Sequence, residues 1–193
     1  MANSTVSRPP SLLRLIAIII LVLIILVGLA VLIIWLTVKP RKLEYSIERV
    51  DVQGFNLHYD HLNASFDLVM RAYNPNTKAA LYYDSINVFV SYDDQNIASQ
   101  TVQPFFQPHH NVTRLELKPT SQSLTLQGSV SRDLRLEKSS GEIELDVYMR
   151  AKVRFKVGRW KSRHYTIKVR CSPVVVHLYS PRKFQSRECD VDL

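Results

Sequence analysis

Glycine is scarce in this chain, five in 193 residues. No glycine-rich phosphate loop and no Gly-x-Ser-x-Gly nucleophile elbow can be assembled from them. Cysteine is scarcer still, with two residues, Cys171 and Cys189, and neither has the Cys/His spacing of a zinc site. Acidic residues are absent before Glu44 and again between Arg150 and Arg170. No coherent catalytic set is left by these gaps, so the expectation is a non-enzymatic protein with no cofactor and no metal.

What the chain does have is one long apolar run. From Leu15 to Val38 the only polar side chain is Thr37. As a helix rising about 1.5 Å per residue, such a run reaches roughly 36 Å, enough to cross a hydrocarbon layer of about 30 Å with some tilt. It is too long for the apolar core of a cleaved signal peptide and leaves through Trp35-Leu36-Thr37-Val38-Lys39-Pro40. The reading is an uncleaved signal anchor, with Trp35 at the interface and Pro40 ending the helix. The expected divisions are a short cytosolic arm, 1–14, a transmembrane segment, 15–38, and one outer domain, 39–193.

Charge alone argues weakly about direction. Arg8 and Arg14 precede the span while Lys39, Arg41 and Lys42 follow it, which by the positive-inside rule would favour a cytosolic C-terminal part. Two features oppose that. The long side carries the acceptor triplets Asn63-Ala64-Ser65 and Asn111-Val112-Thr113, and its two cysteines form an even set that suits one bridge in an oxidising compartment. Together they favour a C-terminal domain outside, with glycans expected at Asn63 and Asn111 and a disulfide between Cys171 and Cys189 against the alternative of two buried free thiols.

The outer part reads as β structure. Leu145, Val147, Met149, Ala151, Val153, Phe155 and Val157 alternate with polar residues, and after a turn at 158–162 so do Tyr165, Ile167, Val169 and Cys171. That is a hairpin with one apolar face. Pairing Phe155 with Tyr165 would set Arg150 opposite Arg170 and Lys152 opposite Lys168. Further strands are expected at 43–52, 55–59, 66–73, 86–92, 112–117 and 174–179, enough for two packed antiparallel sheets. Leu126, Val130 and Leu134 recur every four residues, predicting one short helix over 121–137.

Several short motifs belong together. Trp35-Leu36-Thr37-Val38-Lys39-Pro40 leads into a strand, followed by Asn74-Pro75-Asn76-Thr77-Lys78, Tyr82-Tyr83-Asp84 and Pro104-Phe105-Phe106-Gln107 before His109-His110-Asn111. Val153-Arg154-Phe155-Lys156-Val157-Gly158, Cys171 and Cys189-Asp190-Val191-Asp192-Leu193 close the series. From about Ile20 onward the chain resembles the plant late embryogenesis abundant group 2 family, in particular its harpin-induced-like and non-race-specific disease resistance-like membrane proteins. The resemblance implies a mainly β protein, an N-terminal transmembrane helix followed by a fibronectin- or immunoglobulin-like β-sandwich with one short helix. It also implies type II topology at the plasma membrane and a role in defence or abiotic stress. Pro108 departs from the glycine usual in relatives, and the polar C-terminal residues argue against a glycolipid anchor.

Three constellations remain. Asn74-Pro75-Asn76 is turn chemistry first and a partner-facing loop second. His58 with His61, and His109 with His110, are the best metal candidates, but solvated or core histidine is the favoured reading. The hairpin is the most informative. It holds nine basic residues between Arg150 and Arg170, leaving the rest of the outer domain with 14 basic against 17 acidic. Arg150, Lys152, Arg154, Lys156, Lys168 and Arg170 are therefore the candidate surface for an anionic partner, whether lipid headgroup, acidic wall polysaccharide or acidic protein, against a merely solvated face. Nucleic acid is disfavoured by the compartment. The functional expectation is a single-pass binding or signalling module with protein partners in immune or stress signalling; the alternative is a lipid-binding or membrane-tethering sandwich.

Overall fold

The computed structural model describes residues 12–38, 41–178 and 184–192. The arm before Leu12, Pro40 and Tyr179, for which the sequence carries expectations, lie outside the described residues, as does the side chain of Trp35. Two compact units divide at Lys39 and Pro40. The first contains helix α1, Leu12–Val38, which begins three residues before the expected span and takes in Arg14. Within Leu12–Ile33 an 18-residue stretch reaches a mean hydropathy of 3.7, and none of its residues is buried. Such a helix fits a membrane anchor or a signal sequence.

The second unit is mainly β. Its strands are β1 Glu44–His58, β2 His61–Asn74, β3 Ala79–Tyr92, β4 Gln95–Val102, β5 Phe105–Gln107, β6 Asn111–Leu117 and β7 Thr120–Thr125. After helix α2, Gly128–Ser140, come β8 Glu142–Val157, β9 Trp160–Lys161, β10 Tyr165–His177 and β11 Arg187–Asp192. All pairings are antiparallel. One layer holds β1 and β2 with β6 and β7; the other holds β3 and β8 with β4 and β10. The core between them includes Phe66, Met70, Ile86, Val88, Val147 and Ile167, each essentially without solvent contact. Inward and outward residues alternate along β2 and β8 as a half-buried strand requires.

The two layers are joined along both edges. On one side a single register position, Ser99 opposite Thr120, links β4 to β7. On the other, β11 lies between β1 and β10, with Tyr45 opposite Cys189 and Val169 opposite Val191. The hydrogen-bonded path therefore runs β3-β4-β7-β2-β1-β11-β10-β8 and returns to β3. A sandwich whose edges are joined offers few unpaired edges to other chains.

Four features of the fold differ from the sequence-based expectations. The helix starts at Gly128, and residues 120–125 are strand; Leu126, Val130 and Leu134 are all buried, but Leu126 lies before the helix. Gly128 occupies the helix start, where glycine costs little, and Gly141 closes the helix at φ 86°. Segments 43–52 and 55–59 form one strand, irregular between Gln53 and Asn56. Strands β4, β5, β7 and β11 come from segments with too few apolar positions to show alternation. Finally, the β8–β10 register is two residues away from that expected: Tyr165 faces Val153, so Arg150 faces Lys168 and Lys152 faces Thr166. The cause is a tight turn in which Gly158 takes φ 58° and Trp160 pairs with Val157; residues 162–164 then leave the ladder, which resumes at Tyr165, while Ser162 exchanges hydrogen bonds with Phe155.

Candidate functional site

Asn74 and Asn76 are buried at one end of the sandwich, and their amides are fully engaged. Asn74 Nδ2 donates to the carbonyls of Ala79 (2.8 Å) and Pro108 (3.1 Å), while its Oδ1 accepts from the backbone N–H and Nδ2 of Asn76. Asn76 pairs reciprocally with the Arg41 backbone, accepting its N–H at 2.6 Å and donating to its carbonyl at 3.1 Å. The carbonyl of Asn76 accepts from His110 N–H. An asparagine amide supplies two donors and an acceptor, so this pair ties together the segment before β1, the β2–β3 connection and the β5–β6 turn. Pro108 contributes its carbonyl to that knot.

Beside it runs a buried polar chain that sequence reasoning missed. The hydroxyls of Tyr45 and Tyr83 lie 2.7 Å apart, Tyr83 donates to Gln107 Oε1 at 3.2 Å, and Gln107 Nε2 donates to the carbonyls of Ala72 and Asn111. Burial pushes the Tyr83 phenol up to about 12, and the Tyr45 phenol is raised by burial and by its neighbour. The only sequence cue was a glutamine after two phenylalanines; nothing local announced that β5 would turn its side chain into the core.

The basic hairpin is less uniform than its composition. Arg154 makes a two-pronged contact with Asp84, Nε to Oδ2 at 2.8 Å and Nη2 to Oδ1 at 2.5 Å, and His164 lies 3.5 Å from the same carboxylate. These hydrogen bonds from Arg154, and then its charge, hold Asp84 below the usual carboxylate range. Arg170 sits 3.8 Å from Asp146 and 5.5 Å from the centre of the Tyr148 ring. Register sets Lys168 opposite Asp192 and Arg170 opposite Asp190 on β11. Beside Arg150, Lys168 and Arg170, an open groove of about 1310 Å³ is lined equally by Glu188, Asp190 and Asp192. The positive charge of this part of the hairpin is thus matched by a strand that the sequence did not reveal as a strand.

A second concentration of charge lies at the β8–β9 turn. Lys156 and Lys161 face each other across the ladder. Their ammonium groups stand 5.9 and 4.8 Å from the ring centre of Tyr82, and Lys156 is also 5.7 Å from that of Phe106. Tyr82 and Phe106 are themselves in contact, centroids 4.7 Å apart. Next to them a groove of about 490 Å³ is lined by Ala80, Phe106 and Val157 with Lys78, Lys156 and His109.

The remaining candidates are placed as follows. Cys171 and Cys189 form a disulfide, S–S 2.01 Å, joining β10 to β11. Asn63 is exposed in β2 and accepts a hydrogen bond from the Ser123 backbone, while Asn111 is half-buried as the first residue of β6. His58 and His61 converge after all, because the turn at Tyr59 and Asp60 makes them register partners. Among the described residues no group of three potential metal ligands forms. His110 contacts Tyr73 instead, ring centroids 6.0 Å apart.

A sandwich of antiparallel strands with one capping helix and an N-terminal apolar helix defines the class of chain. The profile of the family described as late embryogenesis abundant protein matches residues 69–171. The chain is 33% identical over 180 residues to NDR1/HIN1-like protein 3 of Arabidopsis thaliana, covering 90% of this chain and 78% of that one. It is 34% identical over 167 residues to NDR1/HIN1-like protein 10 of the same plant, covering 83% and 72%. The solution structure of a late embryogenesis abundant protein, 16% identical, covers 75% of each chain at a TM-score of 0.41. This chain belongs to the late embryogenesis abundant group 2 family, among the NDR1/HIN1-like proteins.

Proposed function

We propose that this chain is a single-pass plasma-membrane protein of type II orientation that serves plant defence and stress responses by binding, with no chemical step of its own. The observation that carries the reading is the apolar helix before a closed sandwich, in a chain whose similarity to NDR1/HIN1-like proteins extends over most of its length. An outward sandwich is supported by the Cys171–Cys189 bridge, which suits an oxidising compartment, and by sequons at Asn63 and Asn111. Rigid sandwiches with engaged cores act through their surfaces, offering side chains to partners from strands and loops.

Protease protection and proximity labelling test this together. With a biotin ligase fused after Leu193 and expressed in plant cells, the labelled set should consist of secretory-pathway and cell-surface proteins. External protease should remove the ligase while leaving an N-terminal tag intact. A labelled set drawn from the cytosol, with a protected C-terminal tag, would sink the reading.

A further inference from the structure

Lys156 and Lys161 are direct cross-strand neighbours, an arrangement that is mildly destabilising for like charges. Both also approach the same aromatic ring, Tyr82, whose electron-rich face offsets part of that cost. Neighbouring rungs explain the shape. On one, Phe106, Tyr82 and Arg154 stand in register across β5, β3 and β8. On the next, Ala80 is the partner of Lys156, and a residue that small beside a lysine leaves the groove next to it.

Charge here differs in kind from that on the rest of the hairpin. Near Arg150, Lys168 and Arg170 the acidic side chains of β11 share the groove. The smaller groove has Lys78 and Lys156 on its walls and no carboxylate among its described lining. Asp84, near Lys161, already receives the two-pronged contact of Arg154. Lys78 and Lys161 are exposed, and Phe106 is 45% exposed, Trp160 63%.

We propose that the β3–β5–β8–β9 corner, centred on Lys156, Lys161, Tyr82 and Phe106, binds an acidic polysaccharide, a chain of sugars bearing carboxylates. The floor of Ala80, Val157 and Phe106 suits the C–H face of a sugar ring. Thr77 and His109 at the rim provide hydrogen-bonding groups for hydroxyls, and the lysines meet the carboxylates. The mixed lining favours a polymer over a bilayer: a chain of sugars can use the apolar floor, the hydrogen-bonding groups and the lysines together, whereas lipid headgroups would engage the lysines alone. The proposal rests on the reading of the sandwich as a binding module and names the partner chemistry for one of its surfaces.

The test uses the full chain in uncharged detergent micelles. Binding is measured to polygalacturonate, to the same polymer fully methyl-esterified, and to vesicles of phosphatidylcholine with phosphatidylserine. Polygalacturonate should bind, with affinity falling as salt rises because screening shortens to about 8 Å near physiological ionic strength. The esterified polymer should not bind. K156Q/K161Q should weaken binding about tenfold or more, K156R/K161R should retain it, and R150Q/K168Q should leave it unchanged, the near-ultraviolet circular dichroism of all variants matching that of the parent. Equal binding of esterified and free polymer, equal binding by K156Q/K161Q and parent, or binding to the vesicles in place of the polymer would each overturn the assignment. None of those results alters the topology and labelling outcomes that decide the broader function, so the two failures are distinguishable.

Discussion

Removing the bridge between Cys171 and Cys189 should loosen one side of the sandwich before it unfolds the whole. The two cysteines are 18 residues apart in sequence. In the chain-entropy description, closing a loop of that size costs the unfolded chain about 10.7 cal/mol/K, or about 3 kcal/mol at room temperature. For a domain of this length, 1 kcal/mol corresponds to about 2–4 °C in melting temperature, so the C171A/C189A variant should melt about 6–12 °C below the parent. Alanine is the appropriate replacement because Cys171 is wholly buried and serine would add an unpaired hydroxyl there. The local effect should exceed the global one. Strand β11 is six residues long, and its described register to β1 and β10 comprises three positions on each side. Hydrogen-exchange mass spectrometry should therefore show peptides covering 187–192 exchanging faster in the variant, while peptides from β8 keep their protection. A variant with unchanged melting temperature and unchanged exchange at 187–192 would refute the argument, as would free alkylation of both thiols in the folded, non-reduced parent.

Tyr83→Phe should cost about 1–3 kcal/mol in denaturant unfolding, because Tyr45 and Gln107 lose a buried partner; an effect below that range would mean the chain of hydroxyls is not what holds β5. In alkaline solution the unfolded chain ionises its tyrosines near 10 while Tyr83 resists to about 12, so the Tyr83 contribution to stability is complete below pH 10 and is lost between pH 10 and 12, about 3 kcal/mol of the alkaline fall. Tyr83→Phe should flatten that fall, as read by unfolding at each pH. Asp84 behaves with the opposite sign: its lowered value gives a contribution present above about pH 3.8 and lost as the pH falls through the folded value, so Asp84→Asn should flatten the acid limb of the same profile. Asn63→Gln and Asn111→Gln should each remove one glycan-sized step of gel mobility from protein made in plant cells, and the double variant should be insensitive to glycosidase.

The sequence disclosed most where each residue carries its own signal. The alternation along β8 and in the first half of β10 is visible because nearly every inward position is aliphatic, and the apolar helix is visible because nothing interrupts it. Strand β11 is the contrary case. Its inward residues are Cys189 and Val191 alone, and its place is determined by partners far away in sequence, β1 and β10. With β11 hidden, the hairpin looked uniformly cationic, whereas Asp190 and Asp192 stand beside Arg170 and Lys168. The register error has a similar origin: a hairpin's offset depends on its turn, and the two-residue turn after Val157 followed by an irregular 162–164 is not encoded in alternation. The Lys156–Lys161 corner depended in turn on that offset and on β5, a three-residue strand with no pattern of its own.

Closure by β11 also orders events during synthesis. Tyr45 waits for Cys189, 144 residues downstream, before its outer neighbour exists. Until then β1 and β10 each carry a row of unpaired backbone groups, and such edges template association between nascent chains. Non-local closure of this kind slows folding to roughly the millisecond-to-second range, whereas the β8–β10 hairpin forms from neighbours already at hand. A ribosome-stalled series should show the sandwich acquiring protease resistance only once residues through 192 have emerged. On the proposed outward orientation, quality control in the secretory pathway would read the state of a single short strand as the signal that the domain is complete.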